Sequence, residues 1–214
     1  MVPRKFGFVH VYTGDGKGKT TAAMGLALRA IGQGFKVFII QFLKGGAYTG
    51  EFISMKNFLP KENKEIVQFG EGCVKELKQF KLQGFQKGAR KENCEYFDYI
   101  REDIECGNCR ECFLDDEKQK KSSREAFALA SDILSSEKYD LVVLDEINNA
   151  ISHKYISVNE VIELIQKKAP RIELVLTGRC APPEIIQVAD LVTEMKCIKH
   201  YYENGVFARR GIEY

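Results

Sequence analysis

The stretch Thr13-Gly14-Asp15-Gly16-Lys17-Gly18-Lys19-Thr20-Thr21 constrains this chain more than any other. It follows Phe6 to Tyr12, an apolar run rich in β-branched and aromatic residues that favour a strand. It precedes Ala22 to Ile31, where Ala, Met and Leu favour a helix. Strand, glycine-rich turn, Gly-Lys-Thr and helix together form the context of a phosphate-binding loop. Glycines let backbone N–H groups turn inward, and a helix N-terminus adds positive dipole. In such a loop Gly14, Asp15, Gly16, Lys17, Gly18, Lys19, Thr20 and Thr21 are the candidate nucleotide-binding residues. Lys19 is expected to reach the terminal phosphates, and the Thr20 hydroxyl to serve Mg2+. The standard pattern opens on glycine where this chain has Thr13, so the loop is a variant. The bland alternative is a solvated Gly/Lys turn, but motif and context agree on phosphate.

A second acidic element supports that reading. Leu141-Val142-Val143-Leu144 is an apolar strand that ends in Asp145-Glu146. In a parallel sheet such a strand delivers an acid to the mouth of a phosphate loop, where oxygen ligands suit Mg2+. Which of the two acids touches the metal stays open at this stage. Thr177-Gly178-Arg179 follows the next predicted strand, Ile172 to Leu176, and Arg179 is a candidate for phosphate charge.

Further strands are expected over Lys36–Phe42, Glu65–Phe69 and Leu191–Ile198. Helices are expected over Gly50–Leu59, from Ser122 or Ser123 to Ser135, over Val158–Lys168, and from Pro182 to Ala189. Tyr201 to Phe207, turning at Asn204-Gly205, reads as a hairpin. Strands alternating with helices predict an α/β fold of the P-loop NTPase-like (RecA-like) kind, with a mostly parallel sheet and helices on both faces. The 214 residues suit one such domain, with residues 70–121 a Cys/Lys-rich insert within it.

That insert holds Cys106, Cys109 and Cys112 in two overlapping Cys-x-x-Cys units, with Cys94 upstream. Four thiolates suit Zn2+, and the run also resembles part of an iron–sulfur ligand set. Unligated thiols are the alternative. The formal charge of +2 gives no reason to expect nucleic acid. No apolar run approaches a membrane span, and residues 1–5 lack a signal-like segment, so a cytoplasmic protein is expected.

With these residues assembled, the chain resembles the P-loop type of ATP:corrinoid adenosyltransferase, which acts on cob(I)yrinic acid a,c-diamide or cob(I)alamin. The resemblance rests on Tyr12 to Ala23, Gln41-Phe42-Leu43-Lys44-Gly45 with Gly50-Glu51, Leu144-Asp145-Glu146 and Thr177-Gly178-Arg179. It continues through Ala189 to Met195, Lys199-His200 and Gly211-Ile212-Glu213-Tyr214. It implies attack of reduced cobalt on the ribose C5′ of ATP, with the whole triphosphate leaving. Lys19, Glu146 and Arg179 are then the expected catalytic residues, with Mg2+ at Thr20, Asp145 and Glu146. It also implies a homodimer and is compatible with a flavoprotein electron donor. Where the family usually carries Phe-Thr-Trp beside the corrinoid, this chain has Cys73-Val74-Lys75 and no Trp. The cysteine insert is expected to replace part of that wall. Two other readings are a nucleoside kinase resembling type II thymidine kinases and a non-enzymatic ATP-binding, metal-responsive switch.

Overall fold

The computed structural model describes residues 6–45, 49–71, 115–209 and 211–214. Cys73-Val74-Lys75 and Cys94, Cys106, Cys109 and Cys112 lie outside the described residues. Six strands form one sheet: β1 (Val9–Thr13), β2 (Val37–Phe42), β3 (Lys64–Phe69), β4 (Leu141–Asp145), β5 (Glu173–Thr177) and β6 (Leu191–Glu194). Their spatial order is β3-β2-β4-β5-β1-β6, and every pairing is parallel. The described helices are α1 (Lys19–Gly32), α2 (Gly50–Asn57), α3 (Asp116–Ser135), α4 (Ile147–Ser152), α5 (Val158–Lys167) and α6 (Pro183–Val188).

Parallel strands covered on both faces read as continuous apolar runs, and β2 is buried along its whole length. Its side chains alternate between two cores. Val37 and Ile39 join Val143 and Val175 beneath α1 and α2. Phe38, Ile40 and Phe42 join Val142, Leu144, Leu174 and Leu176 beneath α3 to α6. Small residues at Ala23 and Ala27, both fully buried, bring α1 close to the sheet. A larger side chain there would overpack the core, at a cost of about 1–3 kcal/mol.

Several boundaries differ from the sequence expectation. β1 starts at Val9 rather than Phe6, because the N–H groups of Gly7 and Phe8 bond the Glu173 carboxylate instead of a strand. α3 starts at Asp116, six residues before the expected serine cap. The Asp115 side chain accepts from the Lys118 N–H, and Ser123 is buried mid-helix. Residues 116–121, expected in the Cys/Lys-rich stretch, are helical. α4 was not expected at all, since Asn148-Asn149 are weak helix formers. β6 stops at Glu194 because its partner β1 ends at Thr13 and curls into the loop. The hairpin expected over Tyr201–Phe207 does not form. Tyr201–Asn204 forms a 3-10 turn, capped by the His200 ring accepting from the Tyr202 N–H and reversed at Gly205.

Among the described residues no helix is long and apolar enough to cross a membrane.

Candidate active site

The carboxyl ends of the strands carry a polar row across an otherwise apolar sheet. Register sets Gln68 beside Gln41 and Gln41 beside Asp145. The Thr177 hydroxyl donates to Asp145 Oδ1 at 2.7 Å. The loop of Thr13 to Thr20 opens onto this row, because β1 lies next to β5.

The loop is held from outside by the chain leaving β6. The Met195 N–H donates to Thr13 O at 2.8 Å, and the Gly16 N–H donates to Met195 O at 2.7 Å. This approach explains two glycines. A Cβ at Gly14 would lie 2.4 Å from Met195 O, and one at Gly16 would lie 2.7 Å from it. The Asp15 carboxylate accepts from the Cys197 N–H, which holds it below the usual range. Lys17 points outward. Its ammonium donates to Tyr201 Oη, to Ile212 O and, at 2.6 Å, to Glu213 Oε1. Thr21 is exposed on the first turn of α1.

Lys19 turns inward and is 7% exposed. Its ammonium donates to Gly14 O and Gly16 O, both at 2.8 Å. Burial lowers its pKa, with Glu146 opposing and Arg179 adding to the drop. A buried ammonium held by loop carbonyls is a preorganised positive charge and hydrogen-bond donor for an incoming phosphate.

Asp145 is fully buried and accepts four hydrogen bonds. Thr20 (2.9 Å) and Thr177 reach Oδ1, while Gln41 (3.0 Å) and Lys44 (2.8 Å) reach Oδ2. Burial alone would raise its pKa; the Lys44 charge and these bonds hold it below the usual range. Glu146 sits in the left-handed region at φ 66°, unusual for a residue with a side chain. Its N–H donates to the Thr177 hydroxyl, and its Oε2 is buried with no hydrogen-bond partner. Burial, then the Asp145 charge, push its carboxyl above the usual range. Arg179 is exposed just past β5, anchored by its N–H to Asn149 Oδ1 at 2.7 Å. Among the described residues no group of three or more His, Cys, Asp or Glu could hold a metal. Thr20, Asp145 and Glu146 carry hard oxygen donors, the kind of ligand chemistry that suits Mg2+.

The sequence-predicted loop, Asp145, Glu146 and Arg179 thus meet at one end of the sheet. Sequence reasoning gave no site role to Gln41, Lys44, Glu51 or Met195. Gln41 carried a signal: it is the one polar residue in the strand Val37–Phe42, buried on both faces.

Loop, sheet order and acid-tipped strand define a P-loop NTPase-like α/β protein. Residues 5–92 and 78–214 match the family described as ATP:corrinoid adenosyltransferase BtuR/CobO/CobP, and the chain belongs to that family. It is 32% identical to the corrinoid adenosyltransferase of Pseudomonas aeruginosa, over 97% of this chain and 84% of that protein. It is 32% identical to one from a Sinorhizobium species, over 97% and 80%. Against the Escherichia coli K12 enzyme it is 29% identical, over 97% and 86%. The chain is therefore an enzyme that transfers the adenosyl group of ATP to a corrinoid. That membership selects adenosyl transfer over the nucleoside kinase and the non-enzymatic switch.

Proposed function

We propose that the loop grips the triphosphate of ATP as a leaving group rather than as a donor of phosphate. Reduced cobalt of the corrinoid substrate attacks C5′ with its electron pair. The cobalt–carbon bond forms, the C5′–O bond breaks, and the triphosphate departs with that bond's electrons. Backbone N–H groups of the loop between Gly14 and Thr20, apart from that of Gly16, which is bonded to Met195 O, and the Lys19 ammonium stabilise the charge that builds on the departing oxygens. Arg179 adds a planar cation at the same edge. Thr20, Asp145 and Glu146 would hold Mg2+, which supplies further charge stabilisation there. No protein nucleophile is required, since the corrinoid provides one.

The observation that carries this reading is the inward Lys19, held by two loop carbonyls at the mouth of the Asp145 row. Calorimetry with ATP and Mg2+ tests it. The wild type binds, and Lys19→Ala loses affinity by about a hundredfold, in line with one preorganised charged contact. Equal affinity of the two proteins would discard it.

A homodimer and a flavoprotein electron donor accompany the reading on resemblance alone. Cys94, Cys106, Cys109 and Cys112 are proposed to bind one soft metal, Zn2+ or an iron–sulfur cluster. Metal analysis of the wild type against Cys109→Ser tests this, and equal metal content would end the proposal.

A further inference from the structure

Lys44 lies outside the phosphate loop, yet its ammonium completes the shell of Asp145. The turn that delivers it is specifically built. Leu43 is in the left-handed region at φ 57°, which disfavours a branched side chain. The Lys44 N–H bonds Phe69 O at 3.2 Å. A Cβ at Gly45 would lie 2.2 Å from Gly70 O, so the two turns after β2 and β3 are pressed together. From there the Lys44 ammonium sits 2.8 Å from Asp145 Oδ2, 3.5 Å from Glu51 Oε1 and 3.5 Å from Thr20 Oγ1. Its side chain is only 22% exposed.

A carboxylate offers about four acceptor positions. Those of Asp145 are taken by Thr20, Thr177, Gln41 and Lys44, and among these donors Lys44 alone is charged. Gln41 is pinned in turn, since Gln68 donates to its carbonyl at 2.8 Å. A divalent cation binding at Oδ2 of Asp145 must therefore displace Lys44, leaving that half-buried ammonium with the longer Glu51 contact at 3.5 Å in place of a close carboxylate. A bare ion gains few ligands for that exchange. An ion carried by a triphosphate brings its own oxygens and gives Lys44 a new anion.

We propose that Lys44 is a positioning residue, the resident counter-cation of Asp145 that keeps free divalent metal off the phosphate site until nucleotide arrives. This rests on the reading of Thr20, Asp145 and Glu146 as the metal side of the site. Mg2+ then enters with ATP and not ahead of it.

The test uses Mn2+ alone, without nucleotide, on the full chain, followed by electron paramagnetic resonance and by Tm. Lys44→Gln removes the charge and keeps a donor. It is expected to bind Mn2+ about tenfold more tightly than the wild type, an ordinary size for coupling between competing ligands. Its Tm rises with Mn2+, while that of the wild type does not. Lys44→Arg restores wild-type behaviour. If Lys44→Gln folds only with Mn2+ present, the metal has replaced the lost cation, which supports the proposal. Equal Mn2+ affinity in Lys44→Gln and wild type, or a variant that stays unfolded with Mn2+, overturns it. Wild-type binding of ATP with Mg2+ is measured on the same samples. Its failure sinks the phosphate-site reading; its success without the Mn2+ gain sinks the role of Lys44 alone.

Discussion

The Thr20 hydroxyl donates to Asp145 Oδ1 at 2.9 Å, joining the first turn of α1 to the tip of β4 across 125 positions of sequence. The bond ties the phosphate loop to the acid that faces it. Both partners sit on rigid elements, so the relative position of loop and acid is set before any ligand binds.

Thr20→Val keeps the shape of the side chain and removes the hydroxyl. It leaves one acceptor position of a buried carboxylate unfilled, at a cost of about 1–3 kcal/mol. The expected result is a fall in kcat/KM for ATP of about tenfold to a hundredfold, because the loop loses the tie that holds it against the acid. Steady-state kinetics over a range of Mg2+ concentrations checks it, and an unchanged kcat/KM would remove Thr20 from the site.

Gly16→Ala acts on the outer face of the loop. The new methyl group would meet Met195 O at 2.7 Å and Lys196 C at 2.8 Å, all backbone atoms that cannot rotate away. The bond from the Gly16 N–H to Met195 O must then lengthen or break. Calorimetry should show ATP affinity reduced at least about tenfold, with Tm lowered by a few degrees, roughly the effect of 1 kcal/mol in a chain this size. Normal ATP affinity would mean that the chain after β6 has no part in shaping the loop.

The elements nearest the chemistry follow local patterns, and those are the ones a sequence displays. Strand, Gly-Lys-Thr and helix are contiguous, so Lys19 and Thr20 could be placed in the first turn of α1 from spacing alone. Leu141 to Asp145 matches its strand residue for residue. The partners of Asp145 were hidden, because Gln41 and Lys44 reach it only through the register of β2 against β4. Pairing between strands about a hundred residues apart leaves no periodic mark. The start of α3 was hidden differently. Glu117-Lys118-Gln119-Lys120-Lys121 looks like a solvated charge run, yet these are good helix formers with an aspartate cap ahead of them. Asn204-Gly205 misled because the turn is real but reverses a 3-10 helix over Tyr201–Asn204 rather than a pair of strands. The Tyr201 hydroxyl is engaged with Lys17 and Glu213, contacts distant in sequence that no local pattern displays.

Stability should carry an acid-sensitive contribution far from the site. Ser157 caps α5, and Glu160 reaches back to the Ser157 N–H at 2.9 Å. That backbone bond, then the Ser157 hydroxyl, hold the Glu160 carboxyl at about 2 against an ordinary 4.5; burial opposes them and Arg124 adds to them. A depressed pKa contributes stability that is complete above about 4.5 and is lost as the pH falls toward about 2. Glu160→Gln should therefore cost about 1 kcal/mol at neutral pH, the usual worth of a helix cap. The gap from wild type should close as the pH drops through that window. Urea unfolding at several pH values checks this, and a gap independent of pH would contradict it.

The central claim is that the loop releases triphosphate whole while carbon moves to cobalt. Anaerobic incubation with ATP, Mg2+ and chemically reduced corrinoid tests it, following the cobalt–carbon product by absorbance and the phosphate products by chromatography. One tripolyphosphate for each cobalt–carbon bond is the predicted result. ADP or orthophosphate in its place, or alkylated corrinoid formed equally well by Lys19→Ala, would contradict the account.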